Sequence, residues 1–149
     1  MTTRVTVIGI GNEFRHDDGV GPAVIAELQR LALADVTLVA TDGEPTRLLD
    51  AWEGVELAVV IDAVPGAEPG RVHRLDGDAA APGGGGTHGL GLADALRLAE
   101  VLDRAPQRLV LYAVEAADVE VGPGLSAEVG RAVPVVARAV LSELATAFS

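Results

Sequence analysis

The sequence contains no cysteine, and aromatic residues make up only 3% of it. The absence of cysteine excludes disulfides, thiolate nucleophiles and sulfur-ligated metal sites. Any metal ion would therefore be bound by oxygen and nitrogen atoms. Because aromatic residues are rare, the core must be built from Val, Leu, Ala and Ile, which favours parallel strands covered by helices.

Basic residues are also scarce, since 11 Lys and Arg face 22 Asp and Glu, for a net charge of -11. This charge disfavours nucleic acid and anionic membrane as partners. No apolar run approaches membrane-spanning length. The first apolar strand begins within a few residues of Met1, which leaves no room for a secretion signal. We therefore expect a cytoplasmic protein.

The length of 149 residues suits a single domain, residues 1–149. Alternating strand and helix patterns predict an α/β fold with three α/β/α layers and a mostly parallel sheet. The connection before the fourth predicted strand is too short for a crossover helix, so that strand should be an antiparallel edge strand. The predicted strands are 5–10, 36–40, 57–61, 71–75 and 109–114, and the predicted helices are 23–33, 46–52, 90–102 and 126–147. Ser126 should cap the last helix, which Pro134 should kink or split.

The first strand ends in a turn that carries two adjacent carboxylates, Asp17 and Asp18. Glycines at positions 9 and 11 resemble the start of a dinucleotide-binding loop, but Phe14 stands where that loop needs a small residue. The carboxylates would repel phosphate and suit a cation instead. The alternative is structural, because aspartate is favoured as a helix cap, and we expect one of the two to cap the following helix and the other to be free.

Two further groups are expected near this turn. Asp62 directly follows the most apolar run of the chain, and His88 lies between a glycine-rich segment and a predicted helix. Ligands of open α/β sheets bind beyond the carboxyl ends of the strands. If the first and third strands are neighbours, Asp18, Asp62 and His88 form an oxygen and nitrogen site for a divalent ion such as nickel or zinc.

Each member also has a simpler interpretation. Asp62 could bond to loop amides, and His88 could be a helix-start residue, although its glycine-rich flank favours a binding role. We expect His16 to point to solvent and His73 to lie on the surface. None of the three serines, Ser126, Ser142 and Ser149, lies in a nucleophile elbow, and no helix carries the paired histidines of a zinc protease.

Four segments, taken in order, resemble the hydrogenase maturation proteases. These are the endopeptidases that trim the C-terminal tail of a nickel-iron hydrogenase large subunit after nickel insertion. The resemblance also includes Gly122-Pro123-Gly124-Leu125-Ser126 before the last helix. The four segments are Gly9-Ile10-Gly11-Asn12, Asp17-Asp18-Gly19-Val20-Gly21, Val60-Ile61-Asp62-Ala63 and Thr87-His88-Gly89-Leu90-Gly91-Leu92-Ala93-Asp94.

The resemblance implies a phosphorylase/hydrolase-like, mixed five-stranded sheet of order 2-1-3-5-4 with the fourth strand antiparallel. It implies that Asp18, Asp62 and His88 contact nickel supplied by the hydrogenase precursor, with Asp18 and Asp62 as catalytic carboxylates. A monomer would suffice for this task. The alternative hypothesis is a non-catalytic nickel-binding checkpoint protein that holds the same precursor without cutting it.

Overall fold

The fold is an α/β/α sandwich, seen in a computed structural model that describes residues 4–76 and 90–148. A short 3₁₀ turn, His16–Gly19, links the first strand to the first helix. The strands are β1 Val5–Ile10, β2 Val36–Thr41, β3 Leu57–Pro65, β4 Val72–Asp76 and β5 Arg108–Ala116. The helices are α1 Val20–Gln29, α2 Pro45–Trp52, α3 Leu90–Leu102 and α4 Ala127–Ala147. In this part of the chain, no helix combines the length and hydropathy needed to span a bilayer.

The sheet has the order β2-β1-β3-β5-β4. β1 pairs in parallel with both β2 and β3, β3 pairs in parallel with β5, and β4 is antiparallel to β5 at the edge. The predicted order and the antiparallel fourth strand are thus confirmed. Because β2 and β3 lie on opposite sides of β1, the crevice for a ligand is expected beyond the carboxyl ends of β1 and β3.

Apolar residues fill both sides of the sheet, which confirms the three layers. Alternate residues of each strand point to opposite faces. One face packs against α1 and α4 through residues such as Val24, Leu28 and Val136. The other packs against α2 and α3 through residues such as Trp52 and Leu92.

Glycines allow β1 to contact the start of α1 directly. A Cβ atom on Gly9 would lie 2.3 Å from the carbonyl oxygen of Gly21, closer than real side chains approach. Gly11 has a φ of +145°, and a Cβ there would lie 1.8 Å from the carbonyl oxygen of Asp18. Only glycine fits this backbone, and the turn that carries Asp18 is thereby held against the end of β1.

Several predicted bounds differ from the structure, among them both ends of α1 and the end of β3. α1 begins at Val20, so Pro22 occupies its first turn. β3 continues to Pro65, so Asp62 lies within the strand rather than at its end. α4 runs without a break through Pro134, so the predicted split does not occur, whereas the predicted Ser126 cap is confirmed by its hydroxyl, which accepts the Val129 amide at 3.4 Å.

Candidate active site

Asp18 lies in the 3₁₀ turn that follows β1, half-buried beside the end of the sheet. Its Oδ2 accepts a hydrogen bond from the Asn12 amide at 2.8 Å. This bond closes the turn across six residues and holds the carboxylate near the carboxyl end of β1. The backbone thus presents Asp18 where ligands of this fold class bind.

Asp62 is 4% exposed in β3, which is the strand next to β1. Burial and the negative charge of Asp18 together raise the pKa of Asp62 to about 7. A hydrogen bond from the Ala63 amide acts in the opposite direction but is outweighed. A like charge raises the pKa of a carboxyl group in this way only at short range. The structure therefore places Asp18 near enough for its charge to act on Asp62, and a cation at this position would favour the ionised form of Asp62.

The third predicted ligand, His88, lies outside the described residues, as does the glycine-rich segment before it. α3 begins at Leu90, two residues further on, and covers the sheet face that holds Val60 and Val64. Asp62 belongs to the same face by strand alternation. Within residues 4–76 and 90–148, no cluster of three metal-ligating side chains is found, so the three-residue site stays a prediction.

A cavity of about 400 Å³ opens beside Asp18 between the ends of β3 and β5. Its volume falls within the range of about 300–1,000 Å³ found for ligand pockets. The walls are Arg15 and Asp18 from the turn, 63–66 from the end of β3, and 116–119 after β5. The cavity can therefore receive a ligand next to Asp18, at the ends of two neighbouring strands.

Asp17 has a role that the sequence did not indicate. The prediction that Asp17 or Asp18 caps a helix and leaves the other free is wrong, since neither the 3₁₀ turn nor α1 has a side-chain cap. Asp17 is instead fully buried and accepts hydrogen bonds from Ser126, Ala117 and Asp118. Burial alone would raise the pKa of Asp17, but these hydrogen bonds outweigh it and lower the pKa.

The two other histidines both have partners. The prediction that His16 points to solvent is wrong. Its Nδ1 donates to the Gly124 carbonyl at 3.1 Å, and its ring packs against Gly122. His73 lies on the edge strand and is partly exposed as predicted, but its Nε2 donates to Glu115 at 2.7 Å. That hydrogen bond is the main reason why the pKa of Glu115 is lowered.

Sequence comparison identifies relatives over most of the chain. A family model described as Hydrogenase maturation protease (HycI) matches residues 22–143. The chain is 31% identical over 124 residues to the hydrogenase expression/formation protein HupD of Bradyrhizobium diazoefficiens, and the match covers 78% of this chain and 65% of that protein. The chain thus spans slightly less than two thirds of the length of that relative.

Solved structures share the fold. The hydrogenase maturating endopeptidase HybD from E. coli superposes with a TM-score of 0.84 at 22% identity, covering 97% of this chain and 93% of that one. The [NiFe] hydrogenase maturation protease HybD from Thermococcus kodakarensis superposes with a TM-score of 0.73 at 26% identity, covering 95% and 99%. The matched family model spans well over half of the residues, and the chain belongs to the hydrogenase maturation protease family.

Proposed function

We propose that this protein is an endopeptidase that removes the C-terminal extension of a nickel-iron hydrogenase large-subunit precursor after nickel insertion. The observation that carries the proposal is the family match over residues 22–143. It is supported by a cavity of about 400 Å³ that Asp18 lines, and by the charge of Asp18 acting on the buried carboxyl group of Asp62.

The donor chemistry of the site suits a nickel ion that arrives with the precursor. Asp18 and Asp62 repel one another, and the burial of Asp62 strengthens that repulsion. A divalent cation would relieve it. Two carboxylate groups and the imidazole of His88 make an oxygen and nitrogen ligand set that leaves positions open for groups of the precursor. In this proposal nickel is part of the substrate. The protease binds the precursor through this ion, so only a precursor that has received nickel is recognised.

The cavity supplies the place where the scissile segment would lie. Residues 63–66 and 116–119 line it at the ends of two neighbouring strands, so an extended peptide could lie across these strand ends. Asp18 lies in the same wall. Holding the peptide there would place its carbonyl beside the carboxylate pair, which is the positioning contribution to catalysis.

The carboxylates would handle the proton of the attacking water. Peptide hydrolysis needs a base that accepts this proton and then an acid that delivers it to the leaving amine. Asp18 and Asp62 are the carboxylates available for this exchange, and the burial and nearby charge that raise the pKa of Asp62 to about 7 before a cation binds make it a stronger base than an exposed aspartate. We assign the pair to this step without dividing the two roles between them.

Replacing Asp62 tests this assignment. Asp62→Asn keeps the size of the side chain but removes its negative charge and its ability to accept a proton, so tail removal should be abolished while the fold remains. The measurement is the intact mass of a nickel-loaded precursor before and after incubation. Asp35→Asn, a change of an exposed aspartate at the opposite end of the sheet, should leave processing unchanged.

Two outcomes of that experiment would alter the proposal. If Asp62→Asn still shortens the nickel-loaded precursor, the catalytic role of Asp62 is wrong. If wild-type protein binds the nickel-loaded precursor without shortening it, the protein is instead a non-catalytic nickel-binding checkpoint for hydrogenase assembly.

We also propose that the protein acts in the cytoplasm as a monomer, without nucleic acid or membrane as a partner. The net charge of -11 supports the absence of nucleic acid and membrane partners, because it disfavours binding to polyanions. Light scattering of the purified protein would test the monomeric state directly.

A further inference from the structure

We propose that Asp17 is a positioning residue that holds the Asp18 turn and the 117–126 loop together as two walls of one cleft. The proposal rests on the function proposed above, because it concerns the geometry of the same site. Asp17 would not touch the substrate. It would act through Asp18, which follows it in the chain, and through the loop that faces Asp18 across the cavity.

The first observation is how completely the Asp17 carboxylate is bonded to that loop. Its Oδ2 accepts the amides of Ala117 at 2.8 Å and Asp118 at 3.1 Å, and the Ser126 hydroxyl at 2.9 Å. Its Oδ1 accepts the Ser126 amide at 2.7 Å. One side chain therefore bonds to both ends of the 117–126 loop, although Ser126 is 109 residues away in sequence.

The second observation is that backbone groups join the same two segments. The Asp17 amide donates to the Asp118 carbonyl at 2.8 Å, and the His16 amide donates to the Gly122 carbonyl at 2.8 Å. In return, the Gly122 amide donates to the Phe14 carbonyl at 2.7 Å. The turn and the loop are therefore one hydrogen-bonded unit, and Asp17 is the buried carboxylate within it.

The third observation is that both segments line the cavity. Arg15 and Asp18 come from the turn, and Ala117, Asp118 and Val119 come from the loop. Arg15 Nε also donates to the Val119 carbonyl at 3.0 Å, across the same junction. The Asp17 side chain thus joins two segments that both line the cleft beside Asp18.

The bonding pattern explains why an amide cannot replace this carboxylate. An ionised carboxylate only accepts hydrogen bonds, and all four groups around Asp17 donate them. Asparagine would direct its NH₂ group at one set of these donors. Asp17→Asn should therefore lose either the bond to the Ser126 amide or the bonds to the Ala117 and Asp118 amides, and the turn that carries Asp18 would be held less firmly against the loop.

The test measures kcat and KM for cleavage of nickel-loaded precursor by Asp17→Asn. We expect kcat to fall by about tenfold or more, since small misplacements of reacting groups have effects of up to about a hundredfold. KM should change less than kcat. Hydrogen exchange at the amides of Ala117, Asp118 and Ser126 should become faster, while exchange in the central strands should not change.

Glu143→Gln is the matched control. Glu143 is likewise a buried carboxylate with several hydrogen bonds, but its partners Arg74 and Tyr112 lie away from the cavity. Glu143→Gln should lower the thermal stability, but kcat should not change at a temperature where the variant is folded. Wild-type kcat in folded Asp17→Asn, or an equal loss of kcat in both variants, would overturn the positioning role.

A second pair of variants covers the case in which Asp17→Asn does not fold. Ser126→Ala removes only the hydroxyl bond to Asp17 and the cap of α4, and should lower kcat less than Asp17→Asn would. Ser126→Thr keeps a hydroxyl and should restore kcat. Equal kcat in Ser126→Ala and wild type would overturn the proposal. If the wild-type protein cleaves no precursor, the proposed function is wrong. Hydrogen exchange at the loop amides of Ser126→Ala then tests the role of Asp17 by itself, and faster exchange would support it.

Discussion

At the scale of single residues, the buried aspartates Asp17 and Asp62 differ in pKa because their surroundings differ. Asp17 is surrounded by donors, which stabilise its charge and lower its pKa. Asp62 is buried near the charge of Asp18, which destabilises its ionised form and raises its pKa to about 7. A carboxylate that is fully hydrogen-bonded suits a structural role, whereas one held in an unfavourable charge state suits binding or catalysis.

The contribution of a fully hydrogen-bonded carboxylate to stability can be tested at Glu143 by varying the pH. Its Oε1 accepts Arg74 Nε at 2.7 Å and the Tyr112 hydroxyl at 2.8 Å. The hydrogen bond from Arg74 is the main reason why the pKa of Glu143 lies below its ordinary value of 4.5. A carboxylate with a lowered pKa stabilises the fold above its ordinary pKa, and this contribution is lost as the pH falls through the folded-state value.

Glu143→Gln should therefore destabilise the protein in a pH-dependent way. At pH 7 the free energy of unfolding should fall by about 1.5 to 3 kcal/mol, the range for hydrogen bonds to charged groups. The difference between wild type and variant should shrink as the pH falls below 4.5 and be lost below the folded-state pKa, because Glu143 is protonated first in the unfolded state and then in the folded state. Urea titrations between neutral and acid pH measure this. A difference that does not depend on pH would contradict the assigned ion pair.

At the scale of elements, the site depends on how closely α1 approaches β1. The absence of a side chain at Gly9 lets the Gly21 carbonyl lie where a Cβ would stand. This contact sets the start of α1, and the 3₁₀ turn with Asp17 and Asp18 leads directly into that start.

Gly9→Ala should therefore destabilise the fold. The added methyl group would meet backbone atoms, which cannot rotate away, and overpacking of this kind costs about 1 to 3 kcal/mol or more. Gly130→Ala is the control, because a Cβ on Gly130 in α4 meets nothing within 4 Å. That change should stabilise the helix by about 0.5 to 1 kcal/mol. Thermal and urea unfolding compare the two, and equal stabilities would refute the close packing at Gly9.

Local patterns were sufficient to predict the elements. The predicted bounds of β1 and α3 agree with the structure at both ends. They were predicted from an apolar β-branched run and from helical spacing of apolar residues. The antiparallel edge strand followed from a connection too short for a helix. β3 was predicted too short because an aspartate after an apolar run looks like a strand end, whereas pairing with β5 continues it to Pro65.

Long-range contacts could not be predicted in this way. Asp17 and Ser126 lie 109 residues apart, and a pair of adjacent aspartates before a helix is equally typical of a cap. Their contact follows only from the three-dimensional path of the chain. His16 was misplaced for the same reason, since its partner Gly124 is 108 residues away. The closeness of Asp18 and Asp62 was predictable because parallel neighbouring strands end at the same edge of a sheet.

At the scale of the whole molecule, the fold and the family match point to one task. The sheet order places the ends of β1, β3 and β5 side by side, and the cavity beside Asp18 lies at that edge. The chain has no cysteine, so thiolate ligands for nickel would have to come from the precursor. Under the proposed function, the protein would recognise an ion that the precursor already holds, and cleavage would follow only after metal insertion.

The most direct test is to incubate wild-type protein with nickel-loaded and nickel-free samples of the same precursor and to compare their intact masses. We predict that only the nickel-loaded precursor loses its C-terminal extension. If both samples are shortened equally, or if neither is shortened, the account of a nickel-dependent endopeptidase is contradicted.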